Sequence, residues 1–144
     1  MKKLLLLLSI VLISACKKSS TSNVLVGVWD LQSLTINGND STQAAKSQQC
    51  YLKWEFHEED KSKGVFSIYG YPTQSTCRLA GTYELPYNNH LKISFGLSSS
   101  YNPIGAYRVT GLTQTWQIIS MSNSSLILDI DYNGSHNEMK LKKM

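Results

Sequence analysis

At 144 residues, with 14 Lys and Arg against 10 Asp and Glu, the chain holds one domain's worth of sequence and a formal net charge of only +4. Arginine occurs only as Arg78 and Arg108, with no cluster, so the electrostatic footprint of a nucleic-acid-binding protein is missing and that class is set aside.

The chain opens with Lys2 and Lys3, continues in an apolar-rich run over 4–13, and reaches Ser14, Ala15 and Cys16. That order is the charged n-region, h-region and small-residue cleavage site of an export signal. Ten residues rise only about 15 Å as a helix, whereas a membrane span needs about 20 residues. Ile13, Ser14, Ala15 and Cys16 resemble the lipobox of bacterial lipoproteins, in which the cysteine is acylated before cleavage and becomes the N-terminus. The resemblance implies a signal peptide over 1–15, lipid on Cys16 and a membrane as partner, held stably because more than one acyl chain anchors it. An ordinary signal peptide with an incidental Cys16 is the alternative. Lys17 and Lys18 follow, matching neither the Asp of inner-membrane retention nor the acidic clusters of surface export. An outer-membrane anchor facing the periplasm is expected.

Cleavage before Cys16 removes 15 of the 144 residues and leaves 129, one domain with one core. Lys2 and Lys3 leave with the signal, so 12 basic residues face 10 acidic ones and the mature chain is nearly neutral. Cys50 and Cys77 remain, and in an oxidising compartment they are expected to form a disulfide. Neither belongs to a Cys-x-x-Cys or Cys/His cluster, so no metal is expected there.

Residues 17–23 are polar and Ser/Thr-rich, so 16–23 is expected to be a lipidated, flexible tether before a domain over 24–144. Beyond it, turn residues recur between short alternating runs, the pattern of an all-β sandwich or barrel. Strands are predicted over 24–36, before the turn at Asn37, Gly38, Asn39 and Asp40, and over 51–57, with Leu52, Trp54 and Phe56 on one face. A polar loop is expected up to Gln49, a solvated turn over 58–63 and a strand over 65–69. Leu79, Gly81, Tyr83 and Leu85 then alternate as far as Pro86, and Leu91, Ile93 and Phe95 follow the Asn88, Asn89 turn. A long loop is expected over 97–113. Trp116 and Ile118, then Leu126, Leu128, Ile130 and Tyr132, then Met139 and Leu141 mark the last three strands, the final pair joined by the hairpin signal Asn133, Gly134. No convincing amphipathic helix is present. Eight sequential strands predict an antiparallel up-and-down barrel, which has no free edges and has room for side chains or one small ligand.

Gly27, Val28 and Trp29 look like the Gly-x-Trp of the first strand of lipocalins, in which the tryptophan closes one barrel end under a basic side chain. A plain core anchor is the alternative role for Trp29. Small bacterial lipocalin-like lipoproteins are similar also in Cys50 opening a strand, Trp54 and Phe56 within it, Cys77 before Gly81, Thr82 and Tyr83, and the terminal hairpin. The Thr-Asp-x-x-Tyr segment of larger lipocalins is absent.

The resemblance implies a lipocalin-like β-barrel that holds a small apolar or amphipathic ligand, lined by Trp29, Leu52, Trp54, Phe56, Tyr83, Ile93, Trp116 and Leu128, with no cofactor. The alternative is a barrel filled by its own side chains that acts through its loops on a protein partner as yet unknown. Catalytic residues are not expected: His57, His90 and His136 are far apart and placed at strand ends or on solvent faces, with no Gly-x-Ser-x-Gly or His-Glu-x-x-His motif. Asp129 and Asp131 share a strand face and have the spacing to hold a cation, but alternating acids are also what a solvent face shows. No metal site is expected.

Overall fold

A computed structural model describes residues 21–47, 52–70, 78–87, 89–96 and 112–144. Its eight long strands are β1 (Gly27–Ile36), β3 (Lys53–Asp60), β4 (Lys63–Tyr69), β5 (Leu79–Tyr87), β6 (His90–Phe95), β7 (Thr113–Met121), β8 (Ser125–Tyr132) and β9 (Ser135–Lys143). A two-residue strand, β2 (Asn39–Asp40), folds back on the end of β1. Each long strand pairs antiparallel with its sequence neighbour, and β9 returns to pair with β1 from Trp29 opposite Lys143 to Ile36 opposite Asn137. That last ladder closes the sheet into the expected eight-stranded antiparallel barrel.

Alternation sets the interior. On β8, Leu126, Leu128 and Ile130 are buried and the residues between them are not; on β9, Asn137, Met139 and Leu141 are buried in the same way. A period of two on a closed sheet sends one set to the core and the other to water. Asn133 and Gly134 both take positive φ, the left-handed pair that a tight hairpin between β8 and β9 requires.

Several local expectations are corrected. Thr21 to Asn23, assigned to the tether, enter a helical turn, α1 (Thr21–Leu25), with Ser22 and Leu25 buried, and β1 starts only at Gly27. The polar loop after β2 contains α2 (Thr42–Ser47), with Ala45 buried. At five and six residues these helices are too short for hydrophobic periodicity to register. Local hydrogen bonds start α2: Asp40 Oδ1 accepts from the Thr42 amide at 2.9 Å, and Thr42 Oγ1 accepts from the Leu34 amide at 2.9 Å. Bonding from Thr42 also holds the Asp40 carboxyl below its ordinary pKa.

The charged run after Phe56 turns only at Lys61 and Ser62. β3 continues through Glu58 and Glu59 to Asp60, opposite Gly64 and Lys63, because a strand leaving the core needs no apolar face. β5 likewise runs through Pro86 to Tyr87, with the register slipping between Glu84 and Tyr87, an irregularity that tolerates a residue lacking an N–H. The predicted loop over 97–113 ends earlier, since β7 begins at Thr113; residues 97–111 lie outside the described residues.

Candidate ligand site in the barrel

One end of the barrel is closed by α1 and the start of β1. Trp29 is fully buried and its Nε1 donates to the Leu25 carbonyl at 2.7 Å. Lys143, at the end of β9, sets its Nζ 5.1 Å from the centre of the Trp29 ring and donates from it to the Val24 carbonyl at 2.8 Å. The ammonium thus satisfies a helix-end carbonyl while resting on the electron-rich indole face.

Beside and beyond this plug the interior is aromatic. Trp54, Phe56, Tyr83, Ile93, Trp116 and Leu128 are all fully buried and belong to one core cluster. Trp54 on β3 and Trp116 on β7 sit half the circumference apart in strand order, yet meet edge to face with centroids 6.0 Å apart. The barrel is therefore bridged by side chains at that level. Phe56 and Tyr83 meet edge to face at 5.4 Å, and Phe66 and Phe95 at 5.3 Å.

Leu52 departs from the expected lining. It precedes β3, packs partly buried against the core cluster, and lines an open groove of about 470 Å³ with Asp30, Leu31, Lys46, Lys53 and Met144. Its position is the end of a short ladder: β1 pairs with β3 from Gly27 to Asp30, and the Leu52 carbonyl accepts one last bond from the Leu31 amide at 2.9 Å.

Two polar side chains on inward positions escaped the sequence reading. Gln114 on β7 is 2% exposed and Asn137 on β9 is fully buried. Gln114 Oε1 accepts from Trp116 Nε1 at 3.2 Å, and Asn137 Nδ2 donates to the Ser135 carbonyl at 3.4 Å. Gln114 Nε2, Asn137 Oδ1 and the Tyr83 hydroxyl have no hydrogen-bond partner. Leaving such a group buried and unmatched costs about 1–3 kcal/mol each. Burial of the Tyr83 phenol, with Glu58 and Glu59 adding to it, pushes its pKa up to about 12. The missed signal was parity: Gln114 shares the phase of Trp116 and Ile118, and Asn137 that of Met139 and Leu141.

The histidines described lie outside the barrel. His57 Nε2 is 3.1 Å from Glu55 on an exposed face, and His90 stacks edge-on against the exposed Tyr87. His136 stands between the acids weighed as a cation site, with Nδ1 2.8 Å from Asp131 and Nε2 3.4 Å from Asp129. Among the described residues no group of three or more His, Cys, Asp or Glu side chains has the arrangement to hold a metal ion. Cys16, Cys50 and Cys77 lie outside the described residues.

Residues 25–128 match the model of the lipocalin-like domain. The chain belongs to the lipocalin-like domain family. No curated protein matches it. Among solved structures, a lipocalin-like protein from Bacteroides uniformis is similar at a TM-score of 0.53 and 17% identity, covering 84% of this chain and 99% of that one. An uncharacterized protein from Bacteroides eggerthii is similar at 0.54 and 13%, covering 83% and 99%. A redesigned β-barrel is similar at 0.53 and 12%, covering 87% and 96%. At these identities the likeness is one of fold. It agrees with a lipocalin-like barrel.

Proposed function

We propose that this lipocalin-like protein is a lipid-anchored binding protein of the cell envelope, holding a small apolar or amphipathic ligand in the barrel rather than catalysing a reaction. The observation that carries the reading is the pair Gln114 and Asn137, buried with unmatched polar atoms in an interior that is otherwise largely apolar apart from the Tyr83 hydroxyl. Both lie toward the end of the barrel opposite Trp29, since Gln114 precedes Trp116 on a strand entering from that end and Asn137 stands opposite Ile36, the far end of β1. The ligand is placed on the Gln114 and Asn137 side of the Trp54 and Trp116 rings, which bridge the barrel beneath it.

A ligand burying about 200 Å² of apolar surface there gains about 5 kcal/mol before association costs, a modest affinity. Titration of the purified protein with the apolar dye N-phenyl-1-naphthylamine tests it. Saturable binding is expected, competed by other apolar molecules and abolished in Leu128→Glu if that variant keeps its β-sheet circular dichroism. The ring contact between Trp54 and Trp116 favours a second reading, a filled barrel acting on a protein partner through its loops. Absence of saturable binding, or binding indifferent to Leu128→Glu, favours that reading. The anchor has its own test: Cys16→Ser is expected to move the protein from the detergent phase to the aqueous phase.

A further inference from the structure

We propose that Gln114 and Asn137 recognise the uncharged, hydrogen-bonding head of an amphipathic ligand, a hydroxyl or an amide, and discriminate against an ionised carboxylate. This deepens the reading of the barrel as a ligand site and rests on it. Gln114 is fixed by the bond from Trp116 Nε1 to its Oε1, which leaves Nε2 as the free donor. Asn137 spends Nδ2 on the Ser135 carbonyl and leaves Oδ1 as the free acceptor. The two strands are separated only by β8, so their backbones stand about 10 Å apart around the wall. Gln117 opposite Asp129 and Ile130 opposite Asn137 place Gln114 within about two residues of the Asn137 level. The proposed head group lies between these two inward side chains, across that span.

The chemistry of the head follows from the two free atoms. Nε2 needs an acceptor and Oδ1 needs a donor, and a hydroxyl or an amide supplies both. An ionised carboxylate supplies acceptors only and leaves Oδ1 facing a negative oxygen. Among the described residues it would also find no buried counter-charge, because the buried polar side chains there are Ser22, Ser67, Gln114 and Asn137, with no Lys, Arg or His. A buried charge with no partner is strongly disfavoured.

Matched ligands of one chain length test this: 1-decanol and decanamide against decanoate at pH 8, where the acid is ionised, each followed by displacement of N-phenyl-1-naphthylamine and by tryptophan fluorescence. The neutral ligands are expected to bind about tenfold or more tighter than decanoate. In Asn137→Leu that preference is expected to fall by about fivefold or more, while the thermal midpoint holds or rises, since an apolar side chain replaces an unmatched one. Gln114→Met is the second variant, expected to weaken decanol binding although it also strands Trp116 Nε1. Decanoate binding as tightly as decanol, or a preference unchanged in both variants, overturns the proposal while leaving the barrel site standing. Failure of every ligand and of the dye to bind overturns both. A thermal midpoint that falls by several degrees in Asn137→Leu without any loss of preference marks Asn137 as structural and overturns its role.

Discussion

Lys143 Nζ lies 5.1 Å from the centre of the Trp29 ring and is bonded at 2.8 Å to the Val24 carbonyl, joining the end of the last strand to the helical turn before the first. The contact crosses the seam where β9 closes onto β1, with Trp29 directly opposite Lys143 in the ladder. Lys143→Met keeps the aliphatic stem and removes the ammonium, so it isolates the charge. A loss of about 1–2 kcal/mol is expected, the sum of a partly desolvated cation–π contact and one hydrogen bond to a carbonyl. Urea denaturation measures it. An unchanged midpoint would mean that the stem alone holds the plug.

Gly81 on β5 is set by a close approach rather than by a turn. A Cβ there would run into the Ser94 carbonyl oxygen and come within 2.9 Å of the Phe66 ring, which faces Gly81 across the ladder. The backbone oxygen cannot swing aside, so Gly81→Ala forces β5 and β6 apart. A loss of about 2–3 kcal/mol is expected, at the upper end for overpacking. Gly38→Ala is the contrast: no atom lies within 4 Å of its Cβ position, and the cost there comes only from the positive φ of 77°. It is expected to cost about 1 kcal/mol. Thermal melts of the two variants separate crowding from backbone conformation.

The sequence carried the barrel because a closed sheet has one wet face and one dry face. Alternation in 126–132 and 137–141 could not be satisfied in any other register, and a slip of one residue would have exposed Leu128 and Met139. Alternation fails where burial does not decide. Glu58 to Asp60 stay in a strand with no buried residue, held by pairing to β4 alone. The six residues of α2 bury one side chain, Ala45, and depend on hydrogen bonds to Asp40 and Leu34 that no periodicity announces. The candidate site was visible only in part. Aromatic lining follows from phase, but Gln114 and Asn137 interrupt it, and hydrophobicity alone passes over a polar residue in an apolar phase.

At the rim, the His136 ring pairs with acids of its own hairpin while its backbone joins that hairpin to the next. Its ring is bonded to Asp131, and Asp129 and Glu138 add negative charge, so its pKa is raised above the ordinary 6.5. Its amide donates to Asn37 Oδ1 at 2.8 Å and its carbonyl accepts from the Asn37 amide at 2.7 Å, tying the β8–β9 hairpin to the β1–β2 hairpin. A histidine whose folded pKa is raised contributes stability fully present below the unfolded value, near 6.5, and lost as pH rises through the folded value. The side chain is half exposed, so solvent screening keeps the effect small. Histidine proton resonances followed by NMR are expected to show His136 titrating above 6.5, and Asp131→Asn is expected to lower that midpoint. No change in Asp131→Asn would mean that the contact does not persist in solution.

A disulfide between Cys50 and Cys77 is expected from the described ends of the strands that follow them. Lys53, the first residue of β3, stands opposite Tyr69, and Leu79, the first of β5, stands opposite Ile68, so both strands enter beside the same end of β4. One strand separates them, which sets their backbones about 10 Å apart. A disulfide needs Cα atoms about 4.4–6.8 Å apart. Cys50 precedes β3 by three residues and Cys77 precedes β5 by two, enough chain to close the remaining few ångströms. Loop closure over about 28 residues removes roughly 3–4 kcal/mol of unfolded-state entropy, an upper figure because real bridges often give less. Intact-mass measurement after alkylation without reductant is expected to find neither thiol modified in the native protein, and both modified after reduction. Cys50→Ser is expected to lower the thermal midpoint, and Cys77→Ser to lower it equally, with no further loss in the double variant, because either single change already removes the one bond. Two alkylated thiols without reductant, or additive losses in the double variant, would show two independent cysteines instead.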